Sequence, residues 1–152
     1  MTAVALYPDA ELVAVTYLRA ALAGRSEPYV TGVQVHTVPP AGTTLTKAIR
    51  IRRTGGTELH QVADSPRLQI QCSYATGNAV TDQSNRQALA QLVWALFRAA
   101  EGQEVTVAGW PEPVVLYRVA TFGGPTNLPD PVDTGRTITQ LTVEVGMRGR
   151  PV

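Results

Sequence analysis

Apolar residues recur at helical spacing in two stretches of the chain. The first covers residues 9–23 and opens on an aspartate that is placed to cap a helix. The second begins near Thr81 or Ser84, where Ser84 and Gln87 fit a capping box, and it ends at Gly102. This spacing predicts two amphipathic helices.

Alternation of apolar and polar residues predicts strands between and after the helices. The clearest case is the segment 67–75, where Leu68, Ile70, Cys72 and Tyr74 share one face and polar residues share the other. In the segment 114–122 both faces carry apolar residues, so the alternation does not say which face is buried. The other predicted strands are residues 30–38, 47–53 and 136–147.

Glycine and proline mark two predicted breaks in the sheet. Gly55 and Gly56 predict a turn, after which residues 57–62 pair back as a further strand. Residues 123–135 are rich in proline, glycine and aspartate, which predicts a long loop with Leu128 as its large aliphatic residue. Two interpretations of this loop stay open: an arm that docks on a neighbouring protein, or a solvated surface loop.

The order helix, strands, helix, strands determines the predicted architecture. Several strands have one polar face, so we expect one face of the sheet to be free of helices. The sequence therefore predicts an α+β fold, a two-layer sandwich of a mostly antiparallel sheet with two helices packed on one face. A chain of 152 residues without a linker or repeat is expected to form a single domain, 1–152.

Composition excludes several classes of protein. Thirteen basic residues against twelve acidic ones leave a net charge of +1, and the basic residues form no stripe of the kind that wraps DNA. Cys72 is the single cysteine, so an intrachain disulfide and a multi-cysteine metal site are excluded. We find no signal peptide, and the most apolar region, 88–100, is too short and too polar to span a membrane.

Candidate residues for catalysis are few and scattered. His36 and His60 are expected to be solvated or hydrogen-bonded, and Cys72 to be a buried core residue rather than a nucleophile. Neither glycine pair matches a phosphate-binding loop, and Asp130 and Asp133 lack further oxygen ligands for a metal. We therefore predict no catalytic, cofactor-binding or metal-binding residue, no cofactor, and no enzymatic activity.

Charged residues on strands and in the loop are candidates for contacts with other subunits. Arginine is favoured at interfaces, although the arginines of the segment 50–53 can equally form a solvated strand face. The candidate contact residues are Arg50, Arg52, Arg53, Leu128, Asp130, Asp133 and Arg136.

Three stretches in order carry a resemblance to a known family. They are AIRIRRTGG at 48–56, DSPRLQIQCSY at 64–74 with the helix that follows, and GGPTNLPDPVDTGRTITQLTVEVGMRGRP at 123–151; the DAEL start of the first helix also fits. With them the chain resembles the tail terminator or tail-completion proteins of long-tailed bacteriophages, especially phages of actinobacteria.

The resemblance implies a structural virion protein of the tail and neck that is assembled in the host cytoplasm. It implies a homo-oligomer, a six-fold ring that stacks on the tail tube protein, stops tube growth and joins the connector proteins of the neck. DNA would pass through the ring without specific binding, and no membrane is involved. Two alternatives stay open: a head-closure or other neck connector protein, and a small cytoplasmic ligand-binding or enzymatic domain.

Overall fold

A computed structural model describes residues 4–38, 45–60, 63–131 and 135–151. The helices are α1 (Ala10–Ala23) and α2 (Ala79–Arg98), with a short 3-10 turn at Pro28–Val30. The strands are β1 (Ala5–Leu6), β2 (Gln34–His36), β3 (Lys47–His60), β4 (Ala63–Tyr74), β5 (Glu104–Val105), β6 (Val114–Pro129), β7 (Thr137–Arg148) and β8 (Arg150–Pro151).

Six strands form one sheet in the order β2-β3-β4-β7-β6-β5. Only the β2–β3 pair is parallel, and the other neighbours are antiparallel. The two hairpins β3–β4 and β6–β7 join through the β4–β7 ladder at the centre of the sheet, while β1 and β8 form a separate antiparallel pair. Together with the two helices, this sheet confirms the predicted α+β sandwich.

The core lies between the helices and one face of the sheet. From β4, Leu68, Ile70 and Cys72 are fully buried there, while Gln69 and Gln71 on the opposite face are half-buried. Period-two alternation therefore predicted the faces of β4 correctly. Both helices pack their buried residues into the same core cluster as these strand residues.

Helix α1 begins as predicted, and helix α2 begins at Ala79, close to Thr81, the first of its two predicted starts, and not at Ser84. The Asp9 carboxylate accepts hydrogen bonds from the backbone N–H groups of the first turn of α1. In α2 the capping residue is Asn78, whose side chain accepts from the Thr81 N–H at 3.2 Å. The predicted capping box at Ser84 is wrong, because Asn78 already satisfies the first free N–H groups and the helix starts one and a half turns earlier.

The predicted turn at Gly55 and Gly56 is also wrong. Strand β3 continues through both glycines to His60, with a register shift against β4 between Arg53 and Gly55. Both glycines have positive φ angles, so they accommodate a β-bulge within the strand instead of reversing the chain. The predicted separate strand at 57–62 is, as far as residue 60, the end of β3; residues 61–62 lie outside the described residues.

The predicted loop 123–135 is largely a strand. Strand β6 extends to Pro129, and Leu128 pairs with Ile138 of β7. Prolines are tolerated because β5 covers only Val114 and Val115, so the rest of β6 is a sheet edge on which a missing N–H costs no ladder bond. The predicted loop, which both open interpretations assumed, is thus incorrect for residues 123–129. Asp133 lies outside the described residues.

Strand β6 has three register shifts against β7, which explains why its alternation was ambiguous. They lie between Leu116 and Arg118, between Thr121 and Gly123, and between Gly123 and Thr126. Each shift inserts an extra residue and moves the following side chains to the other face. Apolar residues of β6 therefore appear on both faces in the sequence.

We predict that the Cys72 thiol of the native protein reacts very slowly with a bulky thiol reagent. Cys72 is fully buried, and burial raises the pKa of its thiol to about 12. Labelling kinetics would be compared with those of a Cys72→Ala/Ser73→Cys variant, whose thiol moves to the half-buried opposite face and should react much faster. Equal rates in the two proteins would contradict the burial.

We predict that Gly56→Ala lowers the free energy of unfolding by about 3 kcal/mol. Gly56 has a φ of +114°, and a Cβ there would lie 2.2 Å from the Ser65 carbonyl oxygen and 2.7 Å from the Pro66 Cα. Gly123→Ala is the matched control, since a Cβ at that strand glycine meets nothing within 4 Å. Urea denaturation should show a large loss for the first variant only; similar midpoints for both would contradict the close approach.

Candidate assembly surface

The helix-free face of the sheet carries an ordered row of amide side chains at its centre. Gln71 of β4 pairs with Gln140 of β7, and Gln69 pairs with Thr142. The Gln71 Nε2 donates to the Gln140 Oε1 at 3.2 Å and to the Gln69 Oε1 at 3.4 Å. These bonds between side chains hold the centre of the face in one arrangement and leave it polar.

An exposed aromatic ring lies on the same face. Phe122 is 56% exposed, and the Arg67 guanidinium lies 4.0 Å from the centre of its ring. Arg67 also pairs with Glu144 at 3.5 Å, and the Ser65 hydroxyl donates to the Glu144 carboxylate at 2.7 Å. A cation–π contact and a chain of polar contacts therefore position a large apolar side chain that remains open to solvent.

Leu128 lies farther along β6 towards the end of the hairpin. Thr126 opposes Gln140 of the helix-free face, and Leu128, two residues on, shares that face. Leu128 is 36% exposed, and its partner Ile138 is 3% exposed. We define the assembly surface as Phe122 and Leu128 together with the polar residues of β4 and β7 described above: Arg67, Gln69, Gln71, Gln140, Thr142 and Glu144.

The structure separates the predicted contact residues into two groups. Arg50 and Arg52 lie on the helix-free face, because they oppose Gln71 and Gln69 across the β3–β4 ladder. Arg52 is exposed, whereas the Arg50 Nε donates to the Thr37 carbonyl at 3.2 Å. Leu128, Asp130 and Arg136 come together at the end of the β6–β7 hairpin, where the Asp130 N–H donates to the Arg136 carbonyl at 2.9 Å.

Arg53 belongs to neither group, because it forms an internal ion pair. Its two terminal nitrogens contact both oxygens of the Asp64 carboxylate at 2.8 and 2.9 Å, and its backbone N–H donates to Glu11 at 2.7 Å. Asp64 is 4% exposed. Three stretches that carried the family resemblance, the DAEL helix start, the IRRTGG strand and the DSPR strand, thus meet at this ion pair.

A cavity of about 460 Å³ borders the Arg53–Asp64 pair. It is lined by the start of α1, including Asp9 and Glu11, and by the two paired residues. Asp64 was not among the predicted contact residues, because an aspartate before Ser-Pro resembles an ordinary turn residue. Nothing in the alternation marks it as buried.

His36 is half-buried, and its ring nitrogens lack the expected hydrogen bond among the described residues. Both of its ring nitrogens are buried without a hydrogen-bond partner in the described chain, and it borders a cleft of about 270 Å³ that also contains Glu11 and Arg19. Burial, together with the nearby charges of Arg50 and Arg19, lowers the pKa of His36, so the imidazole is neutral near neutral pH. His60 lies in β3.

Among the described residues, no group of three or more histidine, cysteine, aspartate or glutamate side chains is arranged to hold a metal ion. Neither helix is long and apolar enough to cross a membrane.

Comparison with known proteins does not identify the chain. No protein-family model matches it, and no curated protein matches it.

We predict that Asp64→Asn lowers the free energy of unfolding by about 1–2 kcal/mol, because the variant leaves the Arg53 guanidinium without its charged partner. The figure is modest because the Arg53 side chain is 38% exposed and therefore partly solvated. Glu27→Gln, which breaks the more exposed Arg25–Glu27 pair, is the control and should unfold like the wild type in urea. An Asp64→Asn midpoint equal to that of the control would show that the ion pair contributes little.

Proposed function

We propose that the protein is a tail terminator of a long-tailed bacteriophage. In this proposal it is a structural protein without enzymatic activity that forms a ring on the last layer of the tail tube. The ring ends tube polymerisation and provides the joint to the neck, and DNA passes through it. The proposal continues from the resemblance of the three sequence stretches, and the assembly surface supports it.

The observation that carries the proposal is the exposed pair Phe122 and Leu128 on a sheet face that no helix covers. Stable protein interfaces combine large apolar or aromatic anchors with a polar rim, and arginine is enriched in them. The ring of Phe122, with Arg67 stacked on it and glutamines beside it, has this composition. A face of this kind suits contact with a second copy of the chain.

The charge of the surface supports a conduit for DNA. The net charge is +1, and two arginines of the helix-free face are engaged within the chain: Arg67 pairs with Glu144, and Arg50 donates to a carbonyl, whereas Arg52 is exposed. A strongly basic lining would hold phosphates and slow the passage of DNA. The same features fit the close alternative, a head-closure or other neck connector protein.

One observation favours a protein of another class. The cleft at His36 is also lined by Glu11 and Arg19, and several polar side chains around one cleft are the kind of site that a small ligand-binding domain or enzyme would use. A His36→Gln variant separates the two classes. A structural ring protein should assemble as the wild type does, whereas a ligand-binding protein should lose its ligand.

We predict that the purified protein forms discrete rings and that Phe122→Asp prevents them. A buried carboxylate at the centre of a subunit contact is strongly unfavourable, whereas the same residue on an exposed monomer surface costs little. Negative-stain electron microscopy and light scattering would be applied to both proteins. Circular dichroism would establish that the variant remains folded.

Val80→Asp is the matched control. Val80 is 81% exposed on α2, away from the sheet, so the substitution adds the same charge at an apolar surface residue that lies outside the assembly surface. Rings from the control and none from Phe122→Asp would support the assembly surface. A wild-type protein that stays monomeric up to its solubility limit, or rings from Phe122→Asp, would contradict the proposal.

A further inference from the structure

Arg86 of helix α2 is a buried arginine with unused hydrogen-bond donors. Its residue is 6% exposed, and its Nε donates to the Thr139 hydroxyl at 3.1 Å, which in turn donates to the Asn127 side-chain oxygen at 2.8 Å. Among the described residues this is the only hydrogen bond of its side chain, and no carboxylate forms an ion pair with it. Because its two terminal nitrogens make no hydrogen bond to the described residues and are not sealed from solvent, they remain available to a partner from outside the described part of the chain.

A pocket gives access to this guanidinium. It has a volume of about 290 Å³ and lies where β4 ends, β7 begins and α2 completes its second turn. Its polar lining comes from Arg86, Gln83, Ser73, Tyr74, Arg136 and Thr137. With the Nε held by Thr139, the two terminal nitrogens of Arg86 are the donors left for a ligand.

Among the described residues that line the pocket, Asp82 is the one carboxylate, and it is already engaged. Asp82 accepts hydrogen bonds from the Thr76 hydroxyl, from the Thr76 N–H at 2.8 Å and from the Gly77 N–H at 3.2 Å. These bonds, that of the Thr76 hydroxyl first, lower the pKa of Asp82 and keep it ionised. The negative charge of Asp82 interacts favourably with Arg86 without direct contact. Its oxygens accept the hydrogen bonds that stabilise the turn at Thr76 and Gly77, before α2.

We propose that this pocket binds a carboxylate group. The planar fork of a guanidinium matches the two oxygens of a carboxylate, and such bidentate pairs are among the strongest hydrogen-bonded contacts in proteins. The fixed negative charge of Asp82 disfavours a dianion such as phosphate and leaves room for one further negative charge. The small volume suits a group the size of an aspartate or glutamate side chain.

The carboxylate can come from a free small acid or from a side chain of a docked protein. Under the proposed assembly, a second copy of the chain is such a source: Glu101 and Glu104 are exposed shortly after α2 in the chain, and Glu112 is exposed shortly before β6. Neither source changes the chemistry of the pocket, so the inference stands whether or not the protein forms rings.

The test uses the full chain and NMR titration with acetate and, separately, with inorganic phosphate. Saturable shifts of the Arg86 side-chain N–H and of backbone amides near Gln83 are expected with acetate. Arg86→Gln should weaken acetate binding at least about tenfold, since the charged donors are lost. Gln83→Trp, at an exposed position, should fill the pocket and abolish binding while Arg86 keeps its bond to Thr139.

Arg98→Gln is the matched control, because it removes one positive charge from an exposed site on the same helix. Its acetate affinity should equal that of the wild type. Tighter binding of phosphate than of acetate, equal loss in Arg98→Gln and Arg86→Gln, or unchanged binding in Gln83→Trp would each overturn the proposal.

A second arm identifies the source of the carboxylate. If another copy of the chain supplies it, Arg86→Gln and a Glu101→Gln/Glu104→Gln/Glu112→Gln variant should both reduce self-association in light scattering, and Arg98→Gln should not. If a free acid supplies it, none of these variants should change self-association, while the acetate titration keeps its dependence on Arg86.

Discussion

The structure depends on the register of β4 against β7, the central pair of the sheet. In this register Leu68 opposes Val143 and Ile70 opposes Leu141, and all four side chains point into the core. Because side chains alternate between faces, a slip of one residue would turn the apolar side chains of the slipped strand to the helix-free face. The two hairpins join only through this ladder, so it also positions the helix-free face from which the assembly surface is built.

Bulges decide what the outer strands present on each face. The shift after Arg53 gives this residue an internal partner, Asp64, while Arg50 and Arg52 remain on the helix-free face. In β6, Leu116 opposes Met147 of the core face. The register shift that follows Leu116 places Phe122 on the helix-free face, beside Arg67. Bulges also twist a strand and protect an unpaired edge from unwanted pairing, which matters along β6, because β5 covers so little of it.

Two arginines, the partly exposed Arg53 and the buried Arg86, illustrate different ways to partner a guanidinium in this fold. Arg53 has a carboxylate in direct bidentate contact, which ties β3 to β4 and, through Glu11, to the start of α1. Arg86 has a hydroxyl on one side and a pocket on the other, with Asp82 close but engaged in a turn. The first arrangement is complete within the chain, whereas the second leaves hydrogen-bonding capacity for a ligand.

The sequence by itself determined the two helices, the two-layer α+β architecture and the buried face of β4. These features follow from local periodicity, since a helix or a half-buried strand repeats its apolar residues at a fixed spacing. The positions of Arg50 and Arg52 on the polar face followed for the same reason. The alternation of Cys72 with Leu68 and Ile70 also predicted correctly that Cys72 is a core residue.

Only the tertiary structure decided the remainder of the sheet and of the candidate sites. Gly55 and Gly56, and the prolines of β6, have the local preferences of turns, but pairing with a partner strand and the freedom of a sheet edge override those preferences. The contact of Asp64 with Arg53 joins two paired strands, and the contact of Arg86 with Thr139 joins residues 53 positions apart in the chain. Local spacing contains no information about such partners, because they are chosen by which strands become neighbours and in which register.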